Sequence, residues 1–207
     1  MKLLISFNML SIEKALSVAS VIEPYVSTFI ISPLLLYTYG VHAVTRFKDA
    51  FPEKSLMVDS QIIERPQEAV AIFAQAGAEW VSILGSAHAQ TIQQACTTAR
   101  SYNSKIMINL SGTSSVGQTA LDASRLGAEA LLFHKPTVDD SRVPFLEQWQ
   151  MTQGNTSLPI YLSAHVSRET IGELIGLNPA GIILGSSIIN APEPEKEIAY
   201  FAELLKN

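Results

Sequence analysis

Eight short apolar runs punctuate this 207-residue chain, with stretches at helical spacing between them. The runs are Leu3–Phe7, Thr28–Ile31, Leu56–Val58, Trp80–Leu84, Ile106–Leu110, Ala130–Phe133, Ile160–Leu162 and Gly181–Leu184. They are apolar at successive rather than alternate residues, the pattern of parallel strands covered on both faces. Ile12, Ala15, Leu16 and Ala19 form one helical stripe, Ala69, Ile72, Phe73 and Ala76 a second, and Leu121, Ser124 and Arg125 continue a third. Ser11 is placed to cap the first helix, with Lys14 rather than a glutamate three residues on. A faint repeat points the same way. Ala76-Gly77-Ala78-Glu79 and Leu126-Gly127-Ala128-Glu129 each lead into a strand, 50 positions apart, the length of about two strand–helix units. Both glycines suit the position just past a helix end. This alternation predicts one α/β domain over residues 1–207, a (β/α)8 TIM barrel, with a doubly wound open sheet as the alternative.

Composition narrows the functional classes. The chain is 47% hydrophobic, enough for one large core. Its formal charge of −5 argues against nucleic acid or an anionic membrane as partner. The single cysteine, Cys96, excludes an internal disulfide and a cysteine-built zinc site. The N-terminus runs straight into strand sequence rather than a cleavable leader, and the apolar stretch 29–36 is too short to cross a bilayer. The expectation is a soluble, cytoplasmic protein.

In a barrel, chemistry belongs at the C-terminal ends of the strands. Those positions hold Asn8, Ser32, Asp59 with Gln61 and Glu64, Gly85-Ser86, Asn109-Leu110-Ser111, His134-Lys135, Ser163-Ala164-His165 and Gly185-Ser186-Ser187. The set is small and polar, with few charges. Ser163 and the Gly185–Ser187 turn are suited to an anion, through hydroxyls and backbone amides. Lys135 could form a Schiff base with a ketose if desolvated, or lie solvated on its loop. Asp59 could be a loop carboxylate and His134 a satisfied core histidine. Cys96 reads as a small core residue, and His42 and His88 fall in helical segments. Arg142, beyond the sixth strand, could swing toward a phosphate.

Several fragments resemble known families. Asp59-Ser60-Gln61-Ile62-Ile63-Glu64 resembles the Asp-x-Lys-x-x-Asp motif of the orotidine 5'-phosphate decarboxylase superfamily, with glutamine for lysine and glutamate for the second aspartate. Gly77-Ala78-Glu79-Trp80-Val81-Ser82-Ile83-Leu84-Gly85 is similar to the Gly-Ala-Asp-x-Val-Thr-Val-Leu-Gly of 3-hexulose-6-phosphate synthase and 3-keto-L-gulonate-6-phosphate decarboxylase. Thr91-Ile92, then Gly127-Ala128-Glu129 before His134, then Leu177-Asn178-Pro179 before Gly185-Ser186, follow in the same order. The resemblance spans nearly the whole chain. It implies a barrel of the ribulose-phosphate-binding type and a lyase acting on a ketose phosphate through a magnesium-bound enediolate. It also implies a homodimer whose two chains share residues at each site. Met9, Leu35, Tyr37 and Tyr39 could serve that interface or lie in helix core.

The departures from the family pattern fall on its charged groups. Asn8 stands for the first-strand aspartate, Ile30 for the second-strand glutamate that helps hold magnesium, and Asn109 for the fifth-strand aspartate. Gln61 carries no charge and cannot donate a proton as an ammonium does. Ala164-His165 stands for a Gly-Gly whose amides help bind phosphate. Asp59, His134 and Gly185-Ser186 match. Carried over residue by residue, the resemblance implies Asp59, Gln61, Glu64 and His134 as the catalytic set, with Lys135 beside them. Asn8, Asn109, Ser163, His165, Gly185, Ser186 and Ser187 would bind substrate, and Asp59 would be the one remaining magnesium ligand. Three functions fit: the family lyase, a silent phosphosugar-binding or regulatory relative, and a lyase rebuilt around Lys135.

Overall fold

The computed structural model describes residues 1–134 and 144–206. The chain alternates β1 (Lys2–Phe7), α1 (Ile12–Ile22), β2 (Thr28–Ile31), α2 (Pro33–Tyr39), α3 (His42–Ala50), β3 (Ser55–Ile62), α4 (Pro66–Gln75), β4 (Trp80–Leu84) and α5 (Ala89–Ser101). It continues with β5 (Lys105–Asn109), α6 (Val116–Leu126), β6 (Ala130–His134), α7 (Phe145–Gly154), β7 (Ile160–Ser163), α8 (Ile171–Gly176), β8 (Gly181–Leu184), α9 (Ser186–Ile189) and α10 (Pro194–Leu204). Every strand pairs in parallel with its neighbours in sequence, and β8 closes back onto β1. The open sheet is thereby excluded. Among the described residues no helix is long and apolar enough to cross a membrane.

Local sequence accounts for most element ends. Ser11 accepts a hydrogen bond from the Lys14 amide at 3.2 Å, capping α1. Gly77 and Gly127 take φ of +101° and +97° where the chain turns off α4 and α6. The largest departure from expectation is β3, which continues past Val58 to Ile62. Its register with β4 breaks between those two residues, and Gln61 adopts φ +50°. Such an irregularity bends a strand and re-aims its side chains.

Two helical stripes also shift. In α6 the buried face is Gly117, Ala120 and Ala123, whereas Leu121 is 56% exposed. In α4, Val70 is buried and Ile72 is 49% exposed. Small residues let α6 lie close to its neighbours, so the packed face is not the bulkiest one. Leu35 is fully buried, which makes it helix core rather than interface, while Tyr37 is 79% exposed.

Packing falls into two shells. Between barrel and helices, Phe7, Phe29, Phe47 and Phe51 meet at ring separations of 5.0–6.2 Å. Each such burial contributes roughly 1.5–3 kcal/mol. Inside the barrel, Leu4, Ile30, Met57, Met107, Ala130, Leu132, Tyr161 and Ile183 pack together, with Trp80 against them. Gly181 leaves room for the Tyr161 ring, since a Cβ there would lie 2.9 Å from its Cδ1. At the N-terminal end Lys105 sits 5.1 Å from the Trp80 ring centroid and 3.2 Å from the Glu79 carboxylate. The barrel is therefore plugged by apolar side chains below its C-terminal mouth.

Candidate active site at the barrel mouth

Side chains alternate along a strand, so the residue two beyond an inward one also points inward. Applied to the apolar plug, the rule defines the mouth. Leu4, Ile30, Met57 and Trp80 are succeeded by Ser6, Ser32, Asp59 and Ser82; Met107, Leu132, Tyr161 and Ile183 are succeeded by Asn109, His134, Ser163 and Gly185. One residue from each strand thus forms a staggered polar ring directly above an apolar floor. It carries one carboxylate and one imidazole.

Hydrogen bonds hold the ring in place. The Ser6 and Ser32 hydroxyls meet at 2.5 Å. Ser82, fully buried, donates from Oγ to Asp59 Oδ1 at 2.7 Å and accepts from the Gln61 amide at 3.2 Å. The Ser82 carbonyl accepts from Ser60 Oγ at 3.0 Å. Side-chain bonds from β4 thus secure β3 where regular pairing lapses. Asn109 is buried, and its Oδ1 accepts from the Ser111 amide at 2.9 Å.

His134 is open along one side, yet partial desolvation in the mouth lowers its pKa below the ordinary histidine value. The Asp59 charge opposes that shift in part. The two groups therefore sense each other across the mouth.

A cavity of about 370 Å³ opens beside the ring, walled by Ser6, Asn8, His134, Ser163, His165 and the Gly185–Ser187 turn. Seven of the proposed substrate and catalytic positions are thereby brought together: Asn8, His134, Ser163, His165, Gly185, Ser186 and Ser187. Asp59 joins them through the ring, and Asn109 lies in the ring with its side-chain oxygen engaged. Gln61 and Glu64 are exposed outside it. Lys135 and Arg142 lie outside the described residues. Sequence reasoning missed Ser6 and Ser82. Each is the lone polar residue inside an apolar strand, Leu-Leu-Ile-Ser-Phe and Trp-Val-Ser-Ile-Leu, and that interruption is the signal that marks them.

Magnesium requires several hard oxygen ligands in octahedral array. Among the described residues no group of three or more His, Cys, Asp or Glu side chains comes together. Asp59 is the only carboxylate on the ring, and Ser82 already occupies one of its oxygens. Ile30 belongs to the apolar floor, paired in register with Met57, and the β2 position on the ring is Ser32. The residues present do not fit a protein-held magnesium ion.

Comparisons with known proteins agree with this architecture. The chain is 26% identical to 3-hexulose-6-phosphate synthase of Mycobacterium gastri over 195 residues, covering 94% of each chain. It is 20% identical to 3-hexulose-6-phosphate synthase of Bacillus subtilis over 207 residues, covering 99% of each. A structure of 3-hexulose-6-phosphate synthase from Salmonella typhimurium superposes with a TM-score of 0.91 at 22% identity, over 100% of this chain and 99% of that one. A structure of KGPDC from Streptococcus mutans, solved in complex with a phosphosugar, superposes with a TM-score of 0.89 at 17% identity, over 99% of this chain and 97% of that one. The model of the orotidine 5'-phosphate decarboxylase / HUMPS family matches residues 1–139. With that match across two thirds of its length, the chain belongs to the orotidine 5'-phosphate decarboxylase / HUMPS family.

Proposed function

We propose that this chain binds a small phosphorylated ketose at the barrel mouth and acts on it as a lyase of the 3-hexulose-6-phosphate synthase type, through an enediolate. The observation that supports the reading is the polar ring over an apolar floor, opening into a cavity of about 370 Å³. A cavity of this size suits a small metabolite. The Ser163, Ser186 and Ser187 hydroxyls and His165 share one wall of it and suit a phosphate. Asp59 and His134 supply the proton-transfer groups that cleavage beside a carbonyl requires. The protein works as a cytoplasmic homodimer in this reading.

Formaldehyde release from hexulose 6-phosphate, measured with and without magnesium, tests the assignment. Release that disappears in Asp59→Asn supports it, and its absence at micromolar protein counts against it. A second reading is favoured by one specific observation. The ring holds a single carboxylate, and Gln61 stands exposed in the motif lysine's place. That arrangement suits a silent phosphosugar-binding relative, for which tight ketose-phosphate binding without turnover is the expected result. A lyase rebuilt around Lys135 is a third form of the proposal, and borohydride trapping at Lys135 in the presence of the ketose tests it.

A further inference from the structure

The ring lacks the ligands for magnesium, but it holds an acid–base pair that needs none. Asp59 is on β3 and His134 on β6, three strands apart in a closed ring of eight, so they face the mouth from nearly opposite walls. Asp59 is oriented by protein alone. The buried Ser82 hydroxyl fixes Oδ1 at 2.7 Å, and among the described residues no donor reaches Oδ2. The imidazole of His134 lines the cavity and makes no hydrogen bond among the described residues, which leaves its N–H available to a ligand. Ser82 also holds Ser60 and the Gln61 amide, at 3.0 and 3.2 Å, so the strand irregularity that aims Asp59 rests on this one residue.

We propose that Asp59 and His134 form the enediolate of a ketose phosphate without a divalent cation, with Ser82 as the positioning residue for Asp59. The inference rests on the phosphoketose reading above. Asp59 takes a proton from the carbon beside the carbonyl. The C–H electron pair becomes the new C=C bond, and the carbonyl π pair moves onto oxygen. The negative charge thus passes from the carboxylate to the enediolate oxygen, where the neutral His134 N–H donates a hydrogen bond. Reversal returns the proton to carbon. In D2O the Asp59 carboxyl exchanges with solvent before the return, so the carbon comes back deuterated.

The test is proton NMR of D-ribulose 5-phosphate in D2O with the full chain and EDTA. The hydrogens on the carbons beside the carbonyl are followed, and ligand line broadening reports binding in the same spectra. Expected is exchange that persists in EDTA and does not rise with added magnesium. Asp59→Asn and His134→Gln each slow it by about 10²-fold or more. Ser82→Ala lowers kcat by roughly ten- to a hundredfold with KM unchanged, and Ser82→Thr, which keeps the hydroxyl, restores it. Exchange that requires magnesium, or that survives Asp59→Asn, overturns the proposal. Broadening without exchange also overturns it while leaving the phosphoketose reading standing, and absence of both removes the two together.

Discussion

Ser82 spends its hydroxyl on Asp59 and on the Gln61 amide at once, inside a fully buried position. Ser82→Ala leaves a carboxylate oxygen and a backbone N–H short of partners, so a loss of about 1–3 kcal/mol in urea unfolding is expected. His134 gives a pH prediction with a definite sign. Its folded pKa lies below the unfolded value of about 6.5, because desolvation disfavours the charged ring. The unfolded chain therefore binds more protons in the window between the two values. His134 contributes stability above pH about 6.5, and the contribution is lost as pH falls through that window. NMR titration of the ring should show the lowered pKa, and Asp59→Asn should lower it further by removing the one opposing charge. Cys96 follows the same physics, its thiol pushed up to about 12 chiefly by burial, with the Glu129 charge adding to it. Alkylation of the native protein is expected at the rate of its opening alone. At this scale legibility followed strand position. Asp59, His134 and Ser163 close apolar runs and could be read from the sequence, whereas Ser82 sits within a run, and its partner is set by a register break that no spacing shows.

The elements divide along a similar line. Strands were legible because both faces are covered, so every observed strand except β3 matches an apolar run to within one residue at either end. β3 differs because Asp59, Ser60 and Gln61 continue as extended chain only where β4 supplies their hydrogen bonds. Helix faces were less legible. Amphipathic spacing favours bulky residues, yet α6 packs through Gly117, Ala120 and Ala123 because a barrel's outer layer admits close approach only with small side chains. β8 carries the sharpest test of such close packing. A Cβ on Gly181 would lie 2.9 Å from the Lys2 carbonyl oxygen, 2.9 Å from Tyr161 Cδ1 and 3.0 Å from Leu4 Cδ1. The backbone contact cannot give way easily, so Gly181→Ala should cost about 1–3 kcal/mol. Thermal unfolding measures it, and an unchanged midpoint would show that the Tyr161 ring is not wedged across the floor.

For the molecule as a whole, the eight runs foretold the strand number, but closure needed the β8–β1 pairing that no local pattern encodes. The charge distribution at the mouth likewise emerged only on folding, when residues far apart in sequence became one ring. The remaining surface feature at this scale is apolar. Leu10 follows β1, Leu34 and Tyr37 lie in the helix after β2, and Ile63 follows β3, all exposed in three adjacent sectors of the mouth face. Scattered apolar side chains are ordinary on a surface, but a run of them over neighbouring loops marks a contact face. Gln61 and Glu64 are exposed in the same third sector. In the proposed homodimer this arc is covered by the second chain, which also removes Gln61 and Glu64 from bulk water. Sedimentation equilibrium should therefore give twice the 22.5 kDa chain mass. Tyr37→Glu, placing a charge in the middle of the arc, should shift the population toward the single-chain mass while leaving the far-ultraviolet circular dichroism unchanged. A single-chain mass at every concentration would sink the dimer, and with it any role for Gln61 or Glu64 in a neighbouring site. A stable dimer indifferent to Tyr37→Glu would move the interface elsewhere on the barrel.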